Sequence, residues 1–318
     1  MNSTIEPLLN SDEPGLRYKA QVNLLGMDPN STAVQETRRA VQECERAQKM
    51  LSVLQIDSTL HAYQKWNGAH WVLSLLAELG FPGDDSRLGA LFEQEFSWLL
   101  SKQHESRILT INGRVRRCAS QEGNGLYAAL VLKPDPRAGE LAERLMKWQW
   151  PDGGWNCDKN PDAHHSSFME TLIPLRGMAR YAKDSGDPRA AQSAERAAEI
   201  FLKRNLYRRQ SDGEVIFHEF IKLHYPCYWH YDILFGLKVM AEAGFIGDPR
   251  CGAALDLLES MRLPDGGFPA TARYYQVAPE IRKATGFSRV DWGGTSLHKM
   301  NPWVTADALY VLQAAGRI

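Results

Sequence analysis

One short signal recurs along the chain and dictates what kind of fold it can adopt. Gly186-Asp187-Pro188-Arg189 returns as Gly247-Asp248-Pro249-Arg250, as Pro134-Asp135-Pro136-Arg137, and more loosely as Gly83-Asp84-Asp85-Ser86-Arg87. Each copy is helix punctuation. Gly closes one helix in a left-handed conformation, Asp caps the next, and Pro takes the first helical position, where no amide hydrogen bond is lost. A chain punctuated this way is a helical repeat.

Two kinds of helix alternate between the signals. After Asp135, Leu141, Leu145 and Trp148 fall at helical spacing with Glu140, Glu143, Arg144 and Lys147 between them, the pattern of a helix with one wet face. The segments that follow, such as Gly125 to Leu132 and Phe168 to Tyr181, are apolar around most of their circumference and read as buried. Helices of the second kind start near Pro14, His61, Gln121, Ser166, Tyr228 and Pro302. The amphipathic ones start near Asn30, Ser86, Pro136, Pro188 and Pro249, the first running through about Leu54. Such an array buries both faces of its apolar helices by curling into a ring. The expected fold is all-α: an α/α toroid of about six hairpins with inner and outer rings, its first helix closing against the last hairpin. It should form one domain over residues 1–318.

Composition narrows the function. With 37 Lys and Arg against 38 Asp and Glu, and Arg114, Arg116 and Arg117 as the one tight basic cluster, nothing calls for nucleic acid. No segment reaches the ~18 apolar residues of a membrane span, and the N-terminus has no secretory signal, so integral membrane association is not expected and the cytoplasm is the expected compartment. Cys44, Cys118, Cys157, Cys227 and Cys251 are widely spaced, as reduced thiols are. Phosphate-binding glycine loops, HExxH, CxxC and GxSxG are all missing, which argues against nucleotide cofactors and the common hydrolase triads.

The loops carry a family resemblance. Leu145 to Trp155, LMKWQWPDGGW, resembles the repeat ending in Q…GGW of squalene and hopene cyclases and of protein prenyltransferase β-subunits, and Arg262 to Phe268, RLPDGGF, is a second copy. The chain is similar as a whole to bacterial prenyltransferase or squalene-cyclase repeat proteins. The cyclases' DxDD acid motif is missing here, and Asp84-Asp85 reads as a cap. The prenyltransferases hold zinc with an Asp-x-Cys pair at one inner helix start and a His at the next. The resemblance therefore implies a metal site at Asp162, His164 or His165, and His230, with His164 standing where the family has Cys.

A physical argument reaches the same region without the family. In an α/α ring all inner helices start at one end of the cavity, where unpaired amides and partial positive charge collect. The loops brought there contain most of the chain's histidines. His165, His230 and Asp232 are candidates to surround the reacting group, with Glu122 and Glu170 as general acids or bases. Trp66, Trp229, Trp303, Tyr63 and His61 are candidates to line the pocket. Each has a plainer reading. His164-His165 can be an exposed cap, Asp232 can orient its helix, Glu122 and Glu170 suit helix starts as dipole partners, and Cys118, Cys157 and Cys227 can be small buried fillers.

The expected function is an enzyme working on a small, partly apolar substrate, isoprenoid or polycyclic, by acid/base or zinc-assisted lyase, cyclase or hydrolase chemistry. A carbohydrate-active toroid, either glycoside hydrolase or polysaccharide lyase, is the second reading. A noncatalytic scaffold that binds a ligand or partner is the third.

Overall fold

The computed structural model describes residues 4–282 and 284–318. Met1 to Ser3, part of the N-terminal segment read above for a leader, and Lys283 lie outside them. The described residues hold fifteen α-helices and two small two-stranded sheets. None of these helices is long and apolar enough to cross a membrane. The chain divides into two compact units. One comprises Met1–Leu91, Lys222–Tyr228 and Leu255–Ile318; the other comprises Phe92–Ile221 and Trp229–Ala254.

In the second unit the apolar helix Phe168–Ser185 packs on Ala119–Val131 and Ile233–Glu242 and against the amphipathic Pro188–Leu202. Two glycines allow the closest of these approaches. A Cβ on Gly123 would lie 2.7 Å from the Pro174 nitrogen, and one on Gly177 would lie 2.9 Å from the Gly123 carbonyl. The amphipathic Ala138–Trp148 buries Ala138, Leu141, Ala142, Leu145 and Trp148, the stripe that the sequence predicts.

Asp187 and Asp248 cap the elements that follow them, with Pro first. The helices after Asp135 and Asp85 begin later, at Ala138 and Leu88, and Arg137 stands at the N-cap of the former. All four signals share a further feature. Asp85, Asp135, Asp187 and Asp248 accept the backbone N–H of Arg87, Arg137, Arg189 and Arg250 at 2.8–2.9 Å. Each of these arginines folds back on its own Asp. It then reaches to a side chain of the preceding repeat: Gln48, Glu93, Glu143 and Glu199 respectively. The signal thus staples consecutive repeats. Its glycine behaves unevenly. Gly186 is left-handed (φ 72°), whereas in the later copy Gly244 (φ 84°) ends the helix and Gly247 does not take that conformation.

Asp85 is the most buried of the four aspartates and also accepts from Gln42 Nε2 at 2.7 Å. The bonds from Arg87 hold its carboxyl down at about 2. Asp85→Ala is expected to cost about 2 kcal/mol in a urea titration. Because the folded pKa is depressed, this contribution is present above about pH 4 and fades as pH falls toward 2.

In the first unit Pro14–Lys19 and the π-turn Ala20–Leu24 pack on the last helix, Pro302–Ala314, so the helix expected from Pro14 does close against the last, with a short helix, Glu6–Leu9, ahead of it. Two stretches depart from the sequence reading. The long polar helix breaks into Thr32–Glu43, Glu45–Leu51 and Val53–Ile56, with Cys44 extended between the first two (ψ 152°). The helix read from His61 begins at Ala69, leaving His61, Tyr63 and Trp66 in turns.

Candidate active site

The Q…GGW segment is the scaffold of the site. Trp150 N–H donates to the Gly154 carbonyl (2.8 Å) and Gly153 N–H to that of Trp150 (3.0 Å), a tight turn with Gly153 at φ 111°. A Cβ on Gly153 would strike the Arg196 carbonyl at 2.3 Å, so the position demands glycine. Trp155 follows, 1% exposed, its indole N–H on the Leu145 carbonyl (2.9 Å) and its backbone N–H on Thr171 Oγ1 (3.1 Å). The second copy repeats the backbone bonds, with Phe268 in place of the tryptophan and its indole donor. Leu263 N–H meets the Gly267 carbonyl (2.9 Å), and Phe268 N–H meets Thr305 Oγ1 (2.9 Å).

Fixing Trp155 fixes what comes next. Arg116 and Asn156 form a parallel β-bridge, with Arg117 N–H on the Asn156 carbonyl at 3.2 Å. Two chain segments forty residues apart in sequence are thereby laid side by side, which brings Cys118 next to Cys157. Cys118 is the residue that begins the Ala119–Val131 helix. Glu170, in the first turn of Phe168–Ser185, completes the group. Its Oε2 accepts Ser120 N–H at 3.1 Å and its Oε1 accepts from the Cys157 thiol at 3.6 Å. A ligand atom from each of Cys118, Cys157 and Glu170 falls within 4.8 Å of the others, and all three residues are half-buried.

The electrostatics follow from enclosure. Desolvation pushes the Glu170 carboxyl up, against the hydrogen bonds from Ser120 and Cys157 and the attraction of Arg117, so it keeps its proton to higher pH than an ordinary glutamate. The Cys118 thiol is pushed up more strongly, by its hydrogen bond with Cys157, by burial and by the negative charge of Glu170. Three groups that would each be anionic crowd one another. Beside them, Arg117 bonds Gln121 Oε1 at 2.6 Å, Glu122 Oε1 at 3.3 Å and the His104 ring. His104 Nε2 lies 3.0 Å from Glu122 Oε1.

Neither a protein-family model nor a curated protein matches the sequence. Solved structures do. Over 96% of this chain and 89% of the other, the structure is similar to a polysaccharide lyase, with a TM-score of 0.52 at 12% identity. The fold is an α/α toroid. A type II terpene cyclase from Scytonema bound to geranylgeranyl dihydroxybenzoate is also similar, at TM-score 0.43 and 13% identity over 100% of this chain and 96% of that one. A cellobiose 2-epimerase from Bacillus thermoamylovorans reaches 0.36 at 14% identity, covering 64% of each chain.

Within this toroid the residues singled out from sequence fall into separate environments. Among the described residues, the ligand atoms of Asp162, His164, His165 and His230 do not gather into one group. Asp162, His164 and His165 sit in an exposed loop built from successive turns in which Asn156, Asp158 and Asn160 cap the backbone, and His164 Nδ1 lies 2.7 Å from the Asp162 carbonyl. The two histidine rings lie tilted against each other, their centroids 4.1 Å apart. His230, half-buried, stacks on Trp229 at 4.1 Å. Among the described residues, the ligand atoms that do converge are those of Cys118, Cys157 and Glu170.

The remaining candidates have structural work. Asp232, fully buried, accepts Phe235 N–H at 2.8 Å and caps Ile233–Glu242. Glu122 is fully buried within the Arg117–His104 network. Trp66 stacks on Tyr228 at 3.9 Å and Trp303 on Tyr225 at 5.1 Å, both rings inside packed aromatic clusters with Tyr63 tilted against Trp71 in the first. His61 is exposed, its Nδ1 accepting Tyr63 N–H at 3.0 Å. Asp85 and Arg87 border an open surface groove of about 650 Å³, where they bond each other.

Of the converging trio, Glu170 is named by the sequence reading and the two cysteines are taken there as fillers. The signal available for Cys157 was its place two residues after a Q…GGW tryptophan, and for Cys118 its place at an inner-helix start.

Proposed function

We propose that the chain is an enzyme of the α/α-toroid class whose reaction is run at Cys118, Cys157 and Glu170. Its substrate is small and partly apolar, isoprenoid or polycyclic, and the chemistry is heterolytic: lyase, cyclase or hydrolase. The observation that supports this is the clustering of two thiols and a carboxyl, half-buried and beside a guanidinium, where two apolar helices begin. Core packing alone does not account for Glu170: small thiols bury readily, but a carboxyl enclosed with them incurs a desolvation cost that an apolar residue of similar volume avoids. A glutamate held protonated to higher pH by its enclosure is the kind of group that general acid catalysis uses. A second reading, action on an oligosaccharide or polysaccharide, is supported by the likeness of fold to the polysaccharide lyase.

The test is a turnover screen of polyprenyl alcohols and diphosphates against acidic oligosaccharides, run with wild type and Glu170→Gln. The amide keeps the shape and the Ser120 contact but removes the acid function. Conversion of one class, reduced ~100-fold or more in the variant at unchanged circular dichroism, is the expected result. Turnover indifferent to Glu170→Gln would move the reaction elsewhere, and no conversion of either class would leave a ligand-binding scaffold.

A further inference from the structure

We infer that Cys118, Cys157 and Glu170 form a three-ligand site for a soft divalent cation, zinc foremost. The spacing already suits a tetrahedral ion. With Zn–S near 2.3 Å and Zn–O near 2.0–2.2 Å, neighbouring ligand atoms sit about 3.5 Å apart, and Cys157 Sγ lies 3.6 Å from Glu170 Oε1. The third ligand atom, from Cys118, falls inside the same 4.8 Å group, so small rotations close the set.

Donor chemistry selects the ion. Two sulfurs and one carboxylate oxygen favour zinc over magnesium or calcium, which take all-oxygen sets. The two thiol protons, and the carboxyl proton where Glu170 holds one, leave to solvent as the ligands bind, and the three ligand charges are then offset by the divalent ion together with Arg117, which already acts on both Cys118 and Glu170. The support behind the ligands is present too. Ser120 N–H holds Glu170 Oε2 and so aims Oε1 at Cys157, the outer contact that orients a ligating carboxylate. Three protein ligands leave a fourth position for water or a substrate oxygen, the pattern of a catalytic rather than a structural zinc. The inference shares its site with the reaction proposed above, but its readout needs no substrate, so either can fail without the other.

The full chain, purified under reducing conditions without a metal-affinity step, is expected to carry about one equivalent of zinc. After chelation and reloading with cobalt it should show the near-ultraviolet charge-transfer band of a cobalt–thiolate bond. Cys118→Ser and Cys157→Ser should each weaken that band. Glu170→Gln should keep it while binding cobalt at least about tenfold more weakly, and Cys44→Ser, outside the cluster, should change neither. Wild type without metal and without the band at saturating cobalt would overturn the site. So would metal content unchanged in both cysteine variants, or a Cys118–Cys157 disulfide in place of the metal in the freshly purified chain. The wild-type cobalt spectrum decides the matter even where a serine variant does not fold.

Discussion

Lys19→Met is expected to destabilise the protein by about 3–5 kcal/mol, because it strips the counter-charge from two enclosed carboxylates. Lys19 is 1% exposed, and its ammonium lies 2.7 Å from Asp307 Oδ1 and 3.1 Å from Glu78 Oε2. Burial by itself would lower the lysine's pKa, but the attraction of Asp307 and then Glu78 outweighs it, and the net shift is upward. The sign fixes the pH dependence. A raised folded-state pKa contributes stability that is complete below the unfolded value of about 10.4 and is lost as pH rises through the folded one. Urea midpoints measured from pH 7 into the alkaline range should therefore show the penalty of Lys19→Met shrinking at the top end. A double variant, Lys19→Met with Asp307→Leu, should recover part of the loss, since replacing buried charges together with apolar side chains costs less than orphaning one. A Lys19→Met midpoint equal to wild type would mean that the two carboxylates find other partners. The pair also accounts for a piece of architecture: it joins Pro14–Lys19, near the start of the chain, to its last helix, Pro302–Ala314.

That closure was legible in the sequence as a topological requirement, while the ion pair that secures it was not. Nothing in the sequence around Asp307 betrays a lysine almost three hundred positions away. The same division runs through the molecule. Punctuation by Asp and Pro, the stripe of Leu141, Leu145 and Trp148, and the equivalence of Trp155 with Phe268 all depend on neighbours within one or two turns, and periodicity exposes them. The site depends on the bridge between Arg116 and Asn156, a backbone pairing across forty residues with no side-chain signature. Reading the histidines instead gave weight to His164 and His165, whose loop is held outward by a run of Asn and Asp caps. Local hydrogen bonding there won over convergence. The cysteines were passed over because their spacing carries no motif. Only the register of the repeat, placing Cys157 just beyond a buried tryptophan, could have pointed to them.

Trp155→Ala should cost about 3–5 kcal/mol, the usual range for emptying a buried aromatic position. It should also reach the site, which a typical core truncation would not. The indole is 1% exposed and its N–H is bonded, so truncation leaves both a cavity and the Leu145 carbonyl without that donor. More of the consequence lies in the backbone. Trp155 N–H on Thr171 and the Trp155 carbonyl, which accepts Ser167 N–H at 2.8 Å, hold the strand that leads into Asn156 and Cys157 against the helix carrying Glu170. Loosening that strand separates ligand atoms that now fall within 4.8 Å. Phe268→Ala is the natural control, because it empties the equivalent wedge of the other repeat copy, which among the described residues leads to no such cluster. Both variants should lose comparable stability in urea, while Trp155→Ala alone weakens the cobalt–thiolate band at temperatures where both remain folded. Equal effects of the two variants on that band would show that the wedge acts on the site through global stability, and the local coupling argued from the Asn156 bridge would be lost.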